Sequence, residues 1–93
     1  MVFESEVYNL VKSFMQCLFD ETEGDEYKSV NFEFIYKLAC KYEQDFEFYD
    51  STNEVLKELV KQDLLNRSYI ITDESNVENI FIAPKGKRDY LKL

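Results

Sequence analysis

Residues 55–72, VLKELVKQDLLNRSYIIT, contain the change of periodicity that decides the fold. In the first half, apolar residues recur at the spacings of three and four that place them on one helix face: Val55, Leu56, Leu59, Val60 and Leu64. After Leu65 the period falls to two, and Tyr69-Ile70-Ile71-Thr72 contains the β-branched and aromatic residues that strands favour. The stretch therefore predicts a helix followed by a strand.

A second strand pattern, Asn79-Ile80-Phe81-Ile82, follows after a six-residue polar loop, residues 73–78. Two short strand patterns joined by a polar loop favour an antiparallel hairpin. Pro84 and Gly86 end the second strand, and residues 88–93 are expected to form a final helical turn.

Two further helices are predicted upstream. Residues 3–19 carry an apolar face at helical spacing, and the acidic run 20–26 ends it. After a candidate short strand at 27–30, Asn31 can cap a second helix with this predicted inner face: Phe34, Ile35, Leu38, Ala39 and Tyr42. Residues 43–50 form a connection, and Ser51 with Glu54 is a capping-box pattern that opens the third helix.

The predicted fold class is α+β. Residues 1–93 form one small domain, with three helices followed by a two-stranded β-hairpin and a short C-terminal helical turn. At this length a single domain is the natural expectation.

This order of elements, together with the sequence patterns of two segments, resembles the winged helix-turn-helix superfamily over about residues 28–91. The segments are Leu56-x-x-Leu59-Val60-x-x-x-Leu64-Leu65 running into Tyr69-Ile70-Ile71, and Phe81-Ile82-Ala83-Pro84-Lys85-Gly86-Lys87 followed by Leu91. The resemblance implies duplex binding, with the third helix in the major groove and the hairpin tip on the backbone. The implied DNA-contacting residues are Asn53, Lys57, Lys61 and Gln62 on the helix, and Lys85, Lys87 and Arg88 near the C-terminus.

The charges on that surface oppose duplex binding. The groove-facing side of the third helix carries two lysines against two glutamates, and the hairpin tip carries three acids and no base. Residues 1–50 have a net charge of −8 and residues 51–93 a net charge of zero. Phosphate neutralisation by Lys and Arg supplies most nonspecific affinity for DNA. We therefore favour an acidic regulatory or inhibitor-type module that recognises a protein with a basic surface, and keep a dimeric transcriptional regulator that binds duplex DNA as the alternative.

The composition gives little support for an enzyme. The chain has no histidine, two glycines and two well-separated cysteines, so the commonest general base, a glycine-rich phosphate loop and a zinc motif are all missing from the sequence. We therefore expect no catalysis, no cofactor, no metal and no small-molecule substrate. Cys17 and Cys40 are expected to be reduced thiols.

Aromatic residues are dense between positions 32 and 49, and protein interfaces are enriched in them. The predicted partner interface combines aromatic anchors with the carboxylates beside them: Phe32, Tyr36, Phe46, Phe48, Tyr49, Glu43, Asp45, Glu47 and Asp50. The first helix is apolar on more than one stripe, which makes Tyr8 and Met15 a candidate homodimer face. A C-terminal segment that covers the first helix would explain its additional apolar surface equally well. A third hypothesis for the function is a module that only holds a larger assembly together.

Two expectations concern location and origin. No apolar run approaches the length of a membrane span, and the N-terminus is acidic where a signal peptide would be basic, so we predict a cytoplasmic protein. Amino acids with AT-rich codons dominate, which indicates a low-GC host or one of its phages or plasmids.

Overall fold

The computed structural model describes residues 4–42 and 51–93. It confirms the α+β class. The described residues form four helices and a three-stranded antiparallel sheet, rather than three helices and a two-stranded hairpin. The elements are α1 (Glu4–Thr22), β1 (Val30–Asn31), α2 (Phe32–Tyr42), α3 (Glu54–Asn66), β2 (Ile70–Thr72), β3 (Asn79–Ile82) and α4 (Pro84–Asp89), with a 3₁₀ turn at Tyr90–Lys92.

The sheet has the order β1-β3-β2, with β3 in the centre. Val30 pairs with Ile80 on one side of β3, and Ile71 pairs with Phe81 on the other. The predicted bounds of β3 are confirmed, and β2 begins one residue later than predicted. The candidate strand at 27–30 is found at the end of that range, as the short strand Val30–Asn31.

The core lies where α1, α2 and α3 meet one face of the sheet. Leu56, Val60 and Leu64 of α3 are buried as predicted, whereas Val55 and Leu59 are exposed. The predicted inner face of α2 is wrong in part, because Phe34 and Tyr42 point outward. The buried residues of α2 are Phe32, Ile35, Tyr36, Ala39 and Cys40.

The rotation of α2 has a packing cause. The ring of Phe32 lies 4.9 Å from that of Phe14 on α1, and 6.1 Å from that of Tyr36 on the next turn of α2. These three aromatic residues form a continuous buried group between the two helices. Packing against α1 therefore selects the face that holds Phe32 and Tyr36.

The helix ends follow local hydrogen bonding. Asn31 caps α2 as predicted, because its Oδ1 accepts from the backbone N–H of Phe34 at 2.9 Å. The predicted capping box at Ser51 is wrong, since Asn53 is the N-cap of α3 and its Oδ1 accepts from the N–H of Leu56 at 3.1 Å. The cap thus lies directly before Glu54, the first helical residue.

The first helix extends further than the acidic run suggested. It continues to Thr22, whose buried hydroxyl donates to the carbonyl of Leu18 at 2.8 Å. Glu23 and Gly24 then take positive φ angles of 56° and 76° and end the helix. The first three residues of the predicted break are therefore helical.

The C-terminal segment covers α1. Helix α4 starts at Pro84, in a first-turn position that suits proline, so the helical segment begins earlier than the predicted turn at 88–93. Gly86 lies so close to Met15 that a Cβ at position 86 would be 2.7 Å from the Met15 Cε. Met15 is fully buried. Its assignment to a dimer face is wrong, because the chain's own α4 packs against it.

None of the helices in the described part of the chain is both long enough and apolar enough to cross a membrane.

Candidate interaction surfaces

The exposed side of α3 carries a chain of ion pairs. The Nζ of Lys57 lies 3.1 Å from a carboxylate oxygen of Glu54 and 3.7 Å from one of Glu33 on α2. Glu33 also contacts Lys37 at 3.3 Å. The hydrogen bond from Lys37, together with the charge of Lys57, holds the pKa of Glu33 below its usual range. Glu33 therefore stays ionised, and Lys57 faces two carboxylates within its own chain.

The other candidate DNA-contacting residues of α3 also have partners within the chain. The Oδ1 of Asn53 is engaged in the helix cap, and Gln62 donates to Glu58 at 2.8 Å. The Nζ of Lys61 lies 5.4 Å from the centre of the Phe32 ring. The shallow groove of about 230 Å³ in front of this face is lined by two lysines and three acids, together with two uncharged residues: Lys57, Lys61, Glu33, Glu58, Glu78, Asn31 and Phe32.

Each of the three bases of α4 lies near an acid or an aromatic ring of the same chain. Lys85 lies 5.9 Å from the Tyr69 ring centre, and Lys87 lies 3.4 Å from the Glu26 carboxylate. Arg88 pairs with its neighbour Asp89 at 3.3 Å. Each of these cations is already close to an aromatic ring or an acid.

The tip of the hairpin is organised by carboxylate and amide side chains. Asp73 accepts from the hydroxyl of Ser75 at 2.7 Å, from its N–H at 2.9 Å and from the hydroxyl of Ser29 at 2.8 Å. Asn76 accepts from the N–H of Glu78 at 3.1 Å. The hydrogen bond from the Ser75 side chain, followed by that from Ser29, lowers the pKa of Asp73. The tip therefore keeps its negative charge.

The outer face of α2 exposes an apolar stripe, which we call the α2 stripe: Phe34, Leu38 and Tyr42. Phe34 is 52% exposed and Tyr42 is 58% exposed, while Leu38 is half-buried. At 1.5 Å per residue the stripe is about 12 Å long. Large exposed aromatic residues in a row are typical of interaction surfaces.

The α2 stripe replaces part of the predicted partner interface. Phe32 is 5% exposed and Tyr36 is fully buried, so their assignment as partner contacts is wrong. The same helix exposes Phe34 and Tyr42, which the sequence reasoning placed in the core. The remaining members of the predicted interface lie outside the described residues: Glu43, Asp45, Phe46, Glu47, Phe48, Tyr49 and Asp50.

A small groove, which we call the end groove, lies between the C-terminal end of α1 and the last turns of α2. Its volume is about 260 Å³. Three of its six lining residues are uncharged and three are charged: Cys17, Leu38, Tyr42, Asp20, Glu21 and Lys41. Asp20 and Glu21 stand in the last turn of α1, where the helix dipole is negative and acids are disfavoured. The carbonyl of Glu21 accepts from Lys28 at 2.8 Å.

A larger groove lies between the start of α1 and the second half of α3, and we call it the α1–α3 groove. Its volume is about 460 Å³, and its lining residues are Glu4, Val7, Tyr8, Leu59, Gln62, Asp63, Asn66 and Arg67. Tyr8 and Leu59 are each 41% exposed, and Arg67 pairs with Asp63 at 3.0 Å. Tyr8 is thus accessible, and a homodimer through it stays a prediction.

Neither cysteine forms a disulfide; Cys17 is half-buried and Cys40 is buried. Across residues 4–42 and 51–93, no three cysteine or carboxylate side chains are grouped so that they could hold a metal ion.

The chain matches no protein-family model, no curated protein and no solved structure. The signal that could have located the α2 stripe was present in the sequence, since residues 34, 38 and 42 repeat at a spacing of four. The alternative face, residues 32, 36 and 40, has the same spacing, so periodicity alone did not separate core from surface.

Proposed function

We propose that this chain is a non-catalytic, acidic module that recognises another protein, built on a winged-helix-like scaffold. The order of the elements supports this scaffold, because a hairpin follows α3 and β1 lies beside β3. The sequence pattern of residues 56–91 supports it as well. A shared fold does not fix a function, so the functional proposal depends on the surface.

The observation that carries the proposal is the pairing of Lys57 on the α3 face with two carboxylates of its own chain. A duplex would have to draw Lys57 away from Glu33 and Glu54 before its charge became available to phosphate. Glu58 and the acidic hairpin tip would approach the same phosphates. The energetic gain from phosphate contacts is therefore largely cancelled on this surface.

The apolar surface supports recognition of a protein. Phe34 and Tyr42 on α2, and Tyr8 on α1, are large side chains with about half of their surface in contact with water. Aromatic residues of this kind supply most of the affinity in protein interfaces when a partner buries them. The net charge of −8 favours a partner with a basic surface and speeds its approach.

Duplex binding is the second candidate, because the sequence resemblance to winged-helix proteins implies that α3 corresponds to their DNA-reading helix. In that case Asn53, Lys57, Lys61 and Gln62 would contact the groove. The acids beside these residues distinguish the two candidates, because these acids oppose the binding of a duplex and favour the binding of a basic protein.

Fluorescence anisotropy with a random-sequence duplex tests this proposal, at about 50 mM and about 200 mM salt. We expect no binding of the unmodified chain at either concentration. The double variant E54K/E58K is compared with E4K/E6K, which has the same change in net charge at the start of α1. We expect the two variants to behave alike. Salt-sensitive binding by the unmodified chain, or a selective gain in E54K/E58K, would establish duplex binding instead.

A further inference from the structure

From the shape and charge of the end groove, we infer that it takes a cationic side chain, best supplied by an arginine, of the partner protein. The apolar residues of the same partner segment lie along the α2 stripe. This inference rests on the proposed function, because it names the site and the chemistry through which a basic protein is recognised.

The lining of the end groove suits an arginine side chain. Cys17 and Leu38 present apolar surface against which the methylene stem can pack. The ring of Tyr42 is more than half exposed at the side of the groove, so a guanidinium can stack on it. Leu38 and Tyr42 also belong to the α2 stripe, so one partner segment can occupy both.

The charges of the groove favour a cation. Among the described residues, neither Asp20 nor Glu21 has a side-chain ion pair, although both line the groove. They stand at the negative end of α1, where the Lys28 ammonium already donates to the Glu21 carbonyl at 2.8 Å, so the attraction for a further cation comes from the two carboxylates themselves. Lys41 is the one cation of the lining, which leaves the lining with a net negative charge.

A second copy of this chain fits the site less well. Two copies bring together net charges of −8 each, which opposes their association at an acidic groove. The α1–α3 groove is also less suited to a cation, because Arg67 already pairs with Asp63 on its wall. The end groove and the α2 stripe are therefore assigned to a basic, amphipathic segment of a different protein.

The test uses two synthetic amphipathic peptides with the same leucine stripe. One carries arginine at its polar positions and the other carries glutamate. Each is titrated into the ¹⁵N-labelled full chain and followed by amide chemical shifts. We expect the arginine peptide to shift amides of the α2 stripe and of residues 17–21, with weaker binding at higher salt, and the glutamate peptide to shift neither.

Matched variants separate the site from the general charge. The double variant D20N/E21Q should weaken binding of the arginine peptide by about threefold to tenfold. The variant E4Q/E6Q removes the same charge from the start of α1 and should leave the affinity unchanged. Tyr42→Ala should weaken binding, whereas Tyr27→Ala removes a 90% exposed tyrosine from the loop after α1 and should not.

Several results would overturn the inference. These are equal binding of both peptides, no binding of either, equal losses in D20N/E21Q and E4Q/E6Q, or shifts centred on Tyr8 and Leu59. Each of them would leave the proposed recognition of a protein standing as long as the duplex test stays negative. Duplex binding by the unmodified chain would instead remove the proposed function itself.

Discussion

The ring of Tyr90 stacks on the ring of Phe19, with the centroids 4.3 Å apart and 16° between the planes. Together with the Lys87–Glu26 ion pair, this contact holds the C-terminal segment against α1 and the loop that follows it. The apolar excess of the first helix, which suggested a dimer face, is thus largely buried by the chain itself. A homodimer through α1 would have to use Tyr8 without Met15.

Replacing Tyr90 by alanine should lower the free energy of unfolding by about 1–2 kcal/mol, because the variant loses a half-buried ring and its stacking contact. Urea denaturation of the full chain measures the change. Tyr27→Ala is the control, since its exposed ring should contribute less than about 0.5 kcal/mol. Equal effects of the two substitutions would show that the C-terminal segment is not packed as described.

The same truncation should destabilise the fold far more at one tyrosine of α2 than at another. Tyr36→Ala opens a cavity beside Phe32 and should cost about 3–5 kcal/mol. Tyr42→Ala removes a side chain that is 58% exposed, and should cost less than about 1 kcal/mol. Thermal or urea unfolding compares the two. A larger loss of unfolding free energy in Tyr42→Ala than in Tyr36→Ala would show that α2 buries the face predicted from the sequence.

The elements that could be predicted from the sequence are those that a short stretch of neighbouring residues determines. The period-two pattern of Asn79–Ile82 yielded the bounds of β3, and Asn31 was identified as the cap of α2 from its position alone. The α3 positions Leu56 and Val60 were also placed correctly in the core. In each case, neighbouring residues in the chain contain the whole signal.

The error at the cap of α3 is local, since Asn53 rather than Ser51 caps that helix, but the errors in the core face of α2 and in the assignment of Met15 arise where distant residues decide. The orientation of α2 depends on Phe32 meeting Phe14 of α1, and two faces of that helix have equal helical spacing. The burial of Met15 depends on Gly86, which lies in a short helix 71 positions further along the chain. The candidate interface was misplaced on α2 for the same reason, because choosing the core face also chooses the exposed one.

Ser68 ends α3 in a strained conformation, with φ at 61°. Its N–H donates to the carbonyl of Leu65, and that of Tyr69 donates to the carbonyl of Leu64, the arrangement in which glycine is preferred. Ser68→Gly should therefore raise the free energy of unfolding by about 0.5–1 kcal/mol, the relieved strain outweighing glycine's extra freedom in the unfolded chain.

Ser68→Ala is the matched control, because alanine also removes the hydroxyl but keeps the strain. It should leave stability unchanged or slightly lower, as measured by urea denaturation. A gain in both variants would assign the effect to the hydroxyl rather than to the backbone.

Gly86 is required by the close approach of α4 to the start of β2. A Cβ at this position would clash with the carbonyl oxygen of Tyr69 and lie 3.0 Å from its Cα, and backbone atoms cannot move aside as a side-chain tip can. Gly86→Ala should therefore cost about 1–3 kcal/mol, although alanine is the better helix former. Thermal unfolding measures the loss. A stabilised G86A variant would show that α4 lies further from β2.

The carboxylate of Asp73 should make stability depend on pH in the acid range. Its pKa is lowered in the folded chain, chiefly by the side chain of Ser75 and then by that of Ser29. A lowered folded-state pKa stabilises the fold at pH values above the unfolded value of about 3.9, and that contribution is lost as the pH falls through the folded-state value. Below about pH 4, Asp73→Asn should therefore lose less stability than the unmodified chain.

Carbon-13 NMR titration of the Asp73 carboxyl tests the cause directly. Ser75→Ala should raise its pKa most, Ser29→Ala should raise it less, and Ser5→Ala at the start of α1 should leave it unchanged. Each serine variant removes one hydroxyl donor, because the backbone N–H of residue 75 remains in alanine, and the hydroxyl of Ser75 lowers the pKa of Asp73 more than that of Ser29 does. An ordinary pKa in the unmodified chain would mean that these bonds do not form in solution. The hairpin tip would then lose the side-chain link from Asp73 to the residue that precedes β1.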